Sequence, residues 1–117
     1  MRAIDPAQPG GPDVLQIVER PVPSPGSGEV LIRVHAAGVN RPDVLQRMGR
    51  YPVPPGATTI LGLEAAGEVV ALGEGTTGIS IGDPVTALVP GGAYADYVVA
   101  AAGLCLPVPP GMRFAEA

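Results

Sequence analysis

The sequence predicts a mostly β fold with one or two short helices. Its 17 glycines and 15 prolines separate short apolar runs, which is typical of many short strands joined by turns. One segment, residues 40–49, instead carries ordered start and stop signals for a helix. With 117 residues, the chain has the length of a single domain that can bury a core without disulfides or metal ions.

Composition narrows the classes of function. The formal net charge of -4 argues against a nucleic-acid partner, because phosphate binding needs a basic face. No apolar run approaches the roughly 18 residues of a membrane span, and the N-terminus lacks the apolar core of a secretory signal. We therefore expect a soluble, cytoplasmic protein.

Cys105 is the only cysteine, which excludes an internal disulfide, and we predict it to be a small buried hydrophobic residue.

Six strands are predicted, at residues 1–4, 14–20, 29–39, 64–72, 85–89 and 93–100. The third is the longest, and it places Arg33 and His35 at alternate positions of an otherwise apolar run. Alternation of this kind indicates one face toward the core and one toward solvent, so His35 is predicted to lie on the surface. A proline-rich exit follows the last strand.

The predicted helix at residues 40–49 begins at Asn40, which precedes a proline. Asp43 is an acid in its first turn, Arg47 lies near its end, and Gly49 follows it. This order of residue types matches the preferences of helix ends and complements the helix dipole. A proline-stiffened loop that contains Tyr51 comes next.

Residues 73–78 spell G-x-G-x-x-G after a strand, which is half of a dinucleotide-binding fingerprint. The residues that follow include further glycines, a proline and β-branched side chains, which do not begin a helix. Without that helix, no N-terminus can point at a pyrophosphate. We therefore predict a glycine-rich hairpin loop here.

Three stretches, GVNRPDVLQRMGRYP (38–52), LGLEAAGEVVALGEG (61–75) and IGDPVTALVPGGAYADYVVA (81–100), resemble the N-terminal half of the medium-chain dehydrogenase/reductase superfamily. Within it, the chain is similar to the zinc-free quinone oxidoreductases, close to the p53-inducible type. The resemblance implies a GroES-like, partly open barrel that forms the catalytic, substrate-side domain over residues 1–117. It also implies that the cofactor-binding Rossmann domain of such enzymes is absent from this sequence, and that a C-terminal return segment completes the lobe in the family.

The same resemblance argues against a metal site. Zinc-dependent relatives carry a cysteine where Asn40 stands and a histidine where Leu63 stands. Neither an amide nor an isobutyl group replaces the thiolate and imidazole that tetrahedral zinc requires. We therefore predict no metal ligands.

The implied activity is NADPH-dependent reduction of a quinone-like small molecule by the full-length parent. The chain alone is expected to bind no cofactor and to be inactive. Tyr51 and Asn40 are the predicted catalytic residues, and Asn40, Asp43 and Leu63 are assigned to the cofactor side. For Asn40 the alternative is a helix N-cap, and for Tyr51 a loop tyrosine packed on prolines. Glu64 is expected to be partly buried and paired with an arginine, in preference to a catalytic role.

Other functions remain open. A zinc-free enoyl-thioester reductase lobe has similar motifs, and the runs GEVVALGEG and IGDPV also look like a GroES-type co-chaperonin. An excised or designed scaffold without activity is a third possibility. Exposed apolar surface, where a cofactor domain would pack, predicts self-association into a homo-oligomer.

Overall fold

The computed structural model describes all residues, 1–117, and confirms the mostly β architecture. Two antiparallel sheets make up the fold. A two-stranded sheet pairs β1 with β2, and a five-stranded sheet has the order β6-β3-β4-β5-β7, so that it stays open between its edge strands β6 and β7. The strands are β1 (Arg2–Pro6), β2 (Leu15–Glu19), β3 (Glu29–Ala37), β4 (Glu64–Leu72), β5 (Pro84–Leu88), β6 (Tyr97–Ala101) and β7 (Cys105–Pro107).

One α-helix, α1 (Arg41–Arg47), lies between β3 and β4, inside the predicted helical segment. Three short 3₁₀ segments complete the fold, at Pro12–Val14, Ala102–Leu104 and Phe114–Glu116. No helix is long and apolar enough to cross a membrane.

The core lies under the middle of the larger sheet. Val30 and Ile32 of β3 and Val69 of β4 have no exposed surface, because β3 and β4 pair in the centre of the sheet. The register between the two strands shifts twice, next to Ile32 and between Val34 and Ala36. Such bulges increase the local twist of a strand and curve the sheet around its core.

Outward positions of β3 carry the polar side chains that the alternation predicts. Arg33 is exposed and forms an ion pair of 2.9 Å with Glu68, its direct partner on β4. His35 is also exposed, as predicted, and its ring stacks on Phe114 with 4.4 Å between the ring centroids. This stack holds the C-terminal 3₁₀ segment against the outer face of the sheet.

The prediction of a strand at residues 93–100 was wrong at its start. β6 begins only at Tyr97, because Ala93 and Tyr94 bond to a neighbouring loop instead of a strand. Their backbone nitrogens donate to the carbonyl oxygens of Gly62 and Leu61, at 3.2 and 2.9 Å. Tertiary hydrogen bonds here override an apolar run that favours a strand.

The C-terminal part also differs from its prediction. β7 (Cys105–Pro107) pairs with β5 inside the expected proline-rich exit. Pro107 is compatible with a strand here because β7 is an edge strand, which does not need every backbone donor. Cys105 is half-buried rather than buried, since it lies at this edge.

Residues 73–83 contain no helix, so the glycine motif is a connection between β4 and β5, as predicted. Gly75 and Gly78 have φ angles of 71° and 78°, which glycine adopts readily. Gly73 lies so close to the carbonyl oxygens of Gly26 and Glu29 that a side chain would collide with them. The glycines therefore serve a tight turn and a close backbone approach.

Candidate functional site

The candidate site is built around Asn40, the N-cap residue of α1. Its backbone is extended, with φ -119° and ψ 157°, as an N-cap requires. Its backbone nitrogen donates to Oδ2 of Asp43 at 2.8 Å, which is one half of a capping box. The backbone nitrogen of Asp43 donates to the Asn40 carbonyl oxygen at 3.1 Å, and no side-chain hydrogen bond of Asn40 caps the helix.

The Asn40 side chain turns toward β4 instead. Its Nδ2 donates a hydrogen bond of 3.2 Å to Oε1 of Glu64, while its Oδ1 accepts none from the protein. Asn40 is thus an N-cap by backbone conformation, and its side-chain amide is available for another role. The N-cap alternative therefore holds for its backbone. The catalytic and cofactor roles of its side chain stay predictions.

The expectation for Glu64 was wrong. Glu64 is exposed at the start of β4 and forms no ion pair with an arginine; its side-chain partner is Asn40. Gly38 leaves the space for this side chain, since a Cβ at that position would collide with the Glu64 carboxylate. An exposed carboxylate stays hydrated, which removes the need for a cation beside it.

Asp43 is the one buried charged residue, with only 3% of its surface exposed. Its Oδ2 accepts the Asn40 backbone N–H and also the hydroxyl of Tyr94, at 2.9 Å. Its Oδ1 is buried without a hydrogen-bond partner. Asp43 is therefore enclosed within the lobe. Its assignment to the cofactor side stays a prediction.

Tyr94 is the member of this cluster that the sequence did not single out. Its phenol is half-buried, and burial together with the hydrogen bond to Asp43 raises its pKa well above the usual value. The hydroxyl therefore remains protonated and acts as a donor. This contact could not be predicted from the sequence pattern, because 51 residues separate Tyr94 from Asp43.

Tyr51 and Leu63 do not belong to the hydrogen-bonded cluster. Tyr51 is partly exposed in the loop after α1, and its hydroxyl makes no hydrogen bond with the protein. Leu63 is partly exposed just before β4, and its carbonyl oxygen accepts from the backbone nitrogen of Val89 at 2.8 Å. Their assignments to catalysis and to the cofactor side stay predictions.

Neither a metal-ligand cluster nor a cavity marks the position of the candidate site. No group of three or more histidine, cysteine, aspartate or glutamate side chains converges in a way that could hold a metal ion. A cavity of about 790 Å³ lies between β6, the end of β5 and the loop at residues 56–60. None of the side chains of Asn40, Asp43, Tyr51, Leu63, Glu64 and Tyr94 lines it. We therefore place the candidate site at the hydrogen-bonded cluster of Asn40, Asp43, Glu64 and Tyr94, because these polar groups converge there and not in the cavity.

A family model described as "Alcohol dehydrogenase GroES-like domain" matches residues 26–110. Among curated proteins, the human "Synaptic vesicle membrane protein VAT-1 homolog-like" is 38% identical over 117 residues, which is 100% of this chain and 28% of that protein. The chain therefore spans less than a third of the length of this relative.

Solved structures of quinone oxidoreductases share the fold. The enzyme from Coxiella burnetii superposes with a TM-score of 0.89 at 32% identity, over 100% of this chain and 39% of that one. The Escherichia coli enzyme, solved in complex with NADPH, gives a TM-score of 0.88 at 35% identity, over 97% of this chain and 35% of that one. In both cases the match covers only part of the solved chain.

Proposed function

Because this chain belongs to the alcohol dehydrogenase GroES-like domain family, we propose that it is the substrate-side lobe of an NADPH-dependent quinone oxidoreductase. The proposal also holds that the 117 residues need a separate nicotinamide-binding domain for turnover. It is supported by the similarity to quinone oxidoreductases, one of them in complex with NADPH.

The observation that carries the proposal is the arrangement of the Asn40 amide. Glu64 holds its nitrogen, and its oxygen is left without a donor from the protein at a partly exposed position. An amide oxygen fixed in this way suits a ligand that presents N–H groups, such as the carboxamide of a nicotinamide. Asn40 would thereby orient the cofactor without a metal ion.

NADPH, when bound, supplies a hydride. The lobe's own contribution is to place a quinone and to stabilise the negative charge that develops on its oxygen. The Tyr51 phenol is free of protein partners and partly exposed, so it can donate a hydrogen bond to that oxygen and pass a proton to it. The two-electron acceptor then leaves as a hydroquinone.

The test is quinone-dependent oxidation of NADPH, followed by absorbance. The chain alone should show no turnover. Joined to the NADPH-binding domain of the Escherichia coli quinone oxidoreductase, it should reduce a quinone, and Asn40→Ala and Tyr51→Phe should each lower the rate by roughly tenfold or more. Gln16→Ala, an exposed amide on β2, and Tyr97→Phe serve as controls.

A fused protein that binds NADPH but reduces no quinone would contradict the proposal. Turnover of an enoyl thioester and not of a quinone would reassign the lobe to the enoyl-thioester reductases. Robust turnover by the 117 residues alone would refute the need for a second domain.

A further inference from the structure

Tyr94 has no role in the function proposed above, yet its position is fixed from several sides. Its backbone nitrogen donates to the carbonyl oxygen of Leu61 at 2.9 Å, and its own carbonyl oxygen accepts from Ile4 of β1 at 2.7 Å. Its ring lies against Gly62, where a Cβ would come within 2.6 Å of the ring atom Cδ1. These contacts fix the position from which the phenol hydroxyl donates to Asp43.

Asp43 connects Tyr94 to Asn40 through two hydrogen bonds. One oxygen of its carboxylate, Oδ2, accepts both the Tyr94 hydroxyl at 2.9 Å and the Asn40 backbone N–H at 2.8 Å. The other oxygen has no partner. A buried carboxylate with so few donors depends strongly on each of them, because hydrogen bonds to a charged group are stronger than those between neutral groups.

The Asn40 backbone in turn sets the direction of its side chain. The N–H bond to Asp43 holds the extended N-cap conformation, from which the amide reaches Glu64 at 3.2 Å. The hydrogen bonds therefore form one continuous path from Tyr94 through Asp43 and Asn40 to Glu64. Loss of the Tyr94 hydrogen bond should therefore alter the orientation of the Asn40 amide.

We propose that Tyr94 is a positioning residue for the Asn40 amide and acts through the carboxylate of Asp43. The functional meaning of this path rests on the proposed function, in which Asn40 faces the cofactor. The path itself is a property of the lobe and can be measured without cofactor or substrate. In this proposal Tyr94 acts through Asp43 alone and takes no part in the chemical step.

The experiment uses ¹⁵N-labelled chain and compares Tyr94→Phe with Tyr97→Phe. Both changes remove one hydroxyl from a half-buried tyrosine, but the Tyr97 hydroxyl makes no hydrogen bond. Tyr94→Phe should shift the side-chain NH₂ resonances of Asn40. It should also speed hydrogen exchange of the Asn40 backbone N–H by about tenfold or more, the factor expected when a hydrogen bond to a charged group is weakened. Tyr97→Phe should leave both unchanged.

Unchanged Asn40 signals in folded Tyr94→Phe would overturn the proposal. A second measurement needs no variant: the hydroxyl proton of Tyr94 should exchange with water far more slowly than that of Tyr97, and equal exchange would also overturn it. Quinone reduction by the fused enzyme together with unresponsive Asn40 signals would refute the positioning role alone. Responsive Asn40 signals without quinone reduction would refute the proposed function alone.

Discussion

Asn40 and Glu64 are joined by a hydrogen bond of 3.2 Å between the amide nitrogen and the carboxylate. The bond connects the beginning of α1 to the beginning of β4, two elements that are separated by a proline-rich loop. Because both side chains are at least partly exposed, the bond adds little stability; its effect is to select one orientation of the amide.

Replacing Glu64 by alanine should therefore loosen Asn40 without unfolding the lobe. We expect the free energy of unfolding to change by less than about 1 kcal/mol, as is usual for exposed positions. The side-chain NH₂ of Asn40 should become more mobile, measured by its heteronuclear ¹⁵N relaxation. Glu64→Gln keeps an acceptor oxygen and is the matched control. An equally ordered amide in Glu64→Ala would show that the bond does not hold it.

Gly38→Ala should have the same effect from the opposite side of the bond. The new methyl group would occupy the space of the Glu64 carboxylate, which is the flexible end of an exposed side chain and can move away. The expected result is a released Asn40 amide with a stability loss of at most about 1 kcal/mol. Gly11→Ala, where a Cβ meets no atom within 4 Å, is the control. Asn40 resonances identical to those of the wild type would contradict this expectation.

Gly62→Ala should be much more damaging. Gly62 has a φ of +99°, and a Cβ there would lie 2.6 to 2.8 Å from atoms of Tyr94 and Ala93, including a backbone nitrogen. Backbone strain of this kind costs on the order of 1–3 kcal/mol, and the overlap adds to it. Urea denaturation should therefore show a loss of at least about 2 kcal/mol.

Gly56→Ala separates the cost of backbone strain from the cost of steric overlap in Gly62→Ala. Gly56 also has a positive φ, +81°, but a Cβ there would meet no atom within 4 Å. It should show the strain alone and therefore a smaller loss than Gly62→Ala. Equal losses at both positions would mean that contact with Tyr94 does not matter.

The parts of the fold that could be predicted are those set by local patterns. β3, β4 and α1 were recognised because alternation, β-branched side chains and helix-end residues act over a few neighbouring positions. The start of β6 could not be predicted in this way. Ala93 and Tyr94 are apolar or aromatic like strand residues, but their backbone hydrogen bonds go to Leu61 and Gly62, far away in the sequence.

The candidate site was predictable to a similar extent. The spacing of Asn40 and Asp43 already contains the half of a capping box that forms, so the local contact could have been found. The partner of Glu64 could not, because it depends on the space left by Gly38 and on the pairing of β4. The Tyr94 contact depends on the whole chain path, which no local rule describes.

Part of the loss of stability in acid should come from the protonation of Asp96. The backbone nitrogen of Arg2 donates to its carboxylate at 2.7 Å, and the guanidinium forms an ion pair with it at 3.2 Å. The backbone hydrogen bond first, and the side-chain hydrogen bond second, hold the pKa of Asp96 below its ordinary value of 3.8. A group whose pKa is lowered by folding stabilises the native state above the unfolded pKa. That stabilisation is lost as the pH falls through the folded pKa.

Stability should therefore decline as the pH falls below about 4, and Asp96→Asn should make this part of the curve shallower. The measurement is the thermal unfolding midpoint at closely spaced pH values between about 5 and 2. Asp13→Asn is the control, since that carboxylate is exposed and accepts no hydrogen bond. Because Asp96 also anchors β1, through Arg2, to the segment before β6, the variant should loosen the two-stranded sheet. An acid slope identical in Asp96→Asn and the wild type would show that this contact does not govern acid stability.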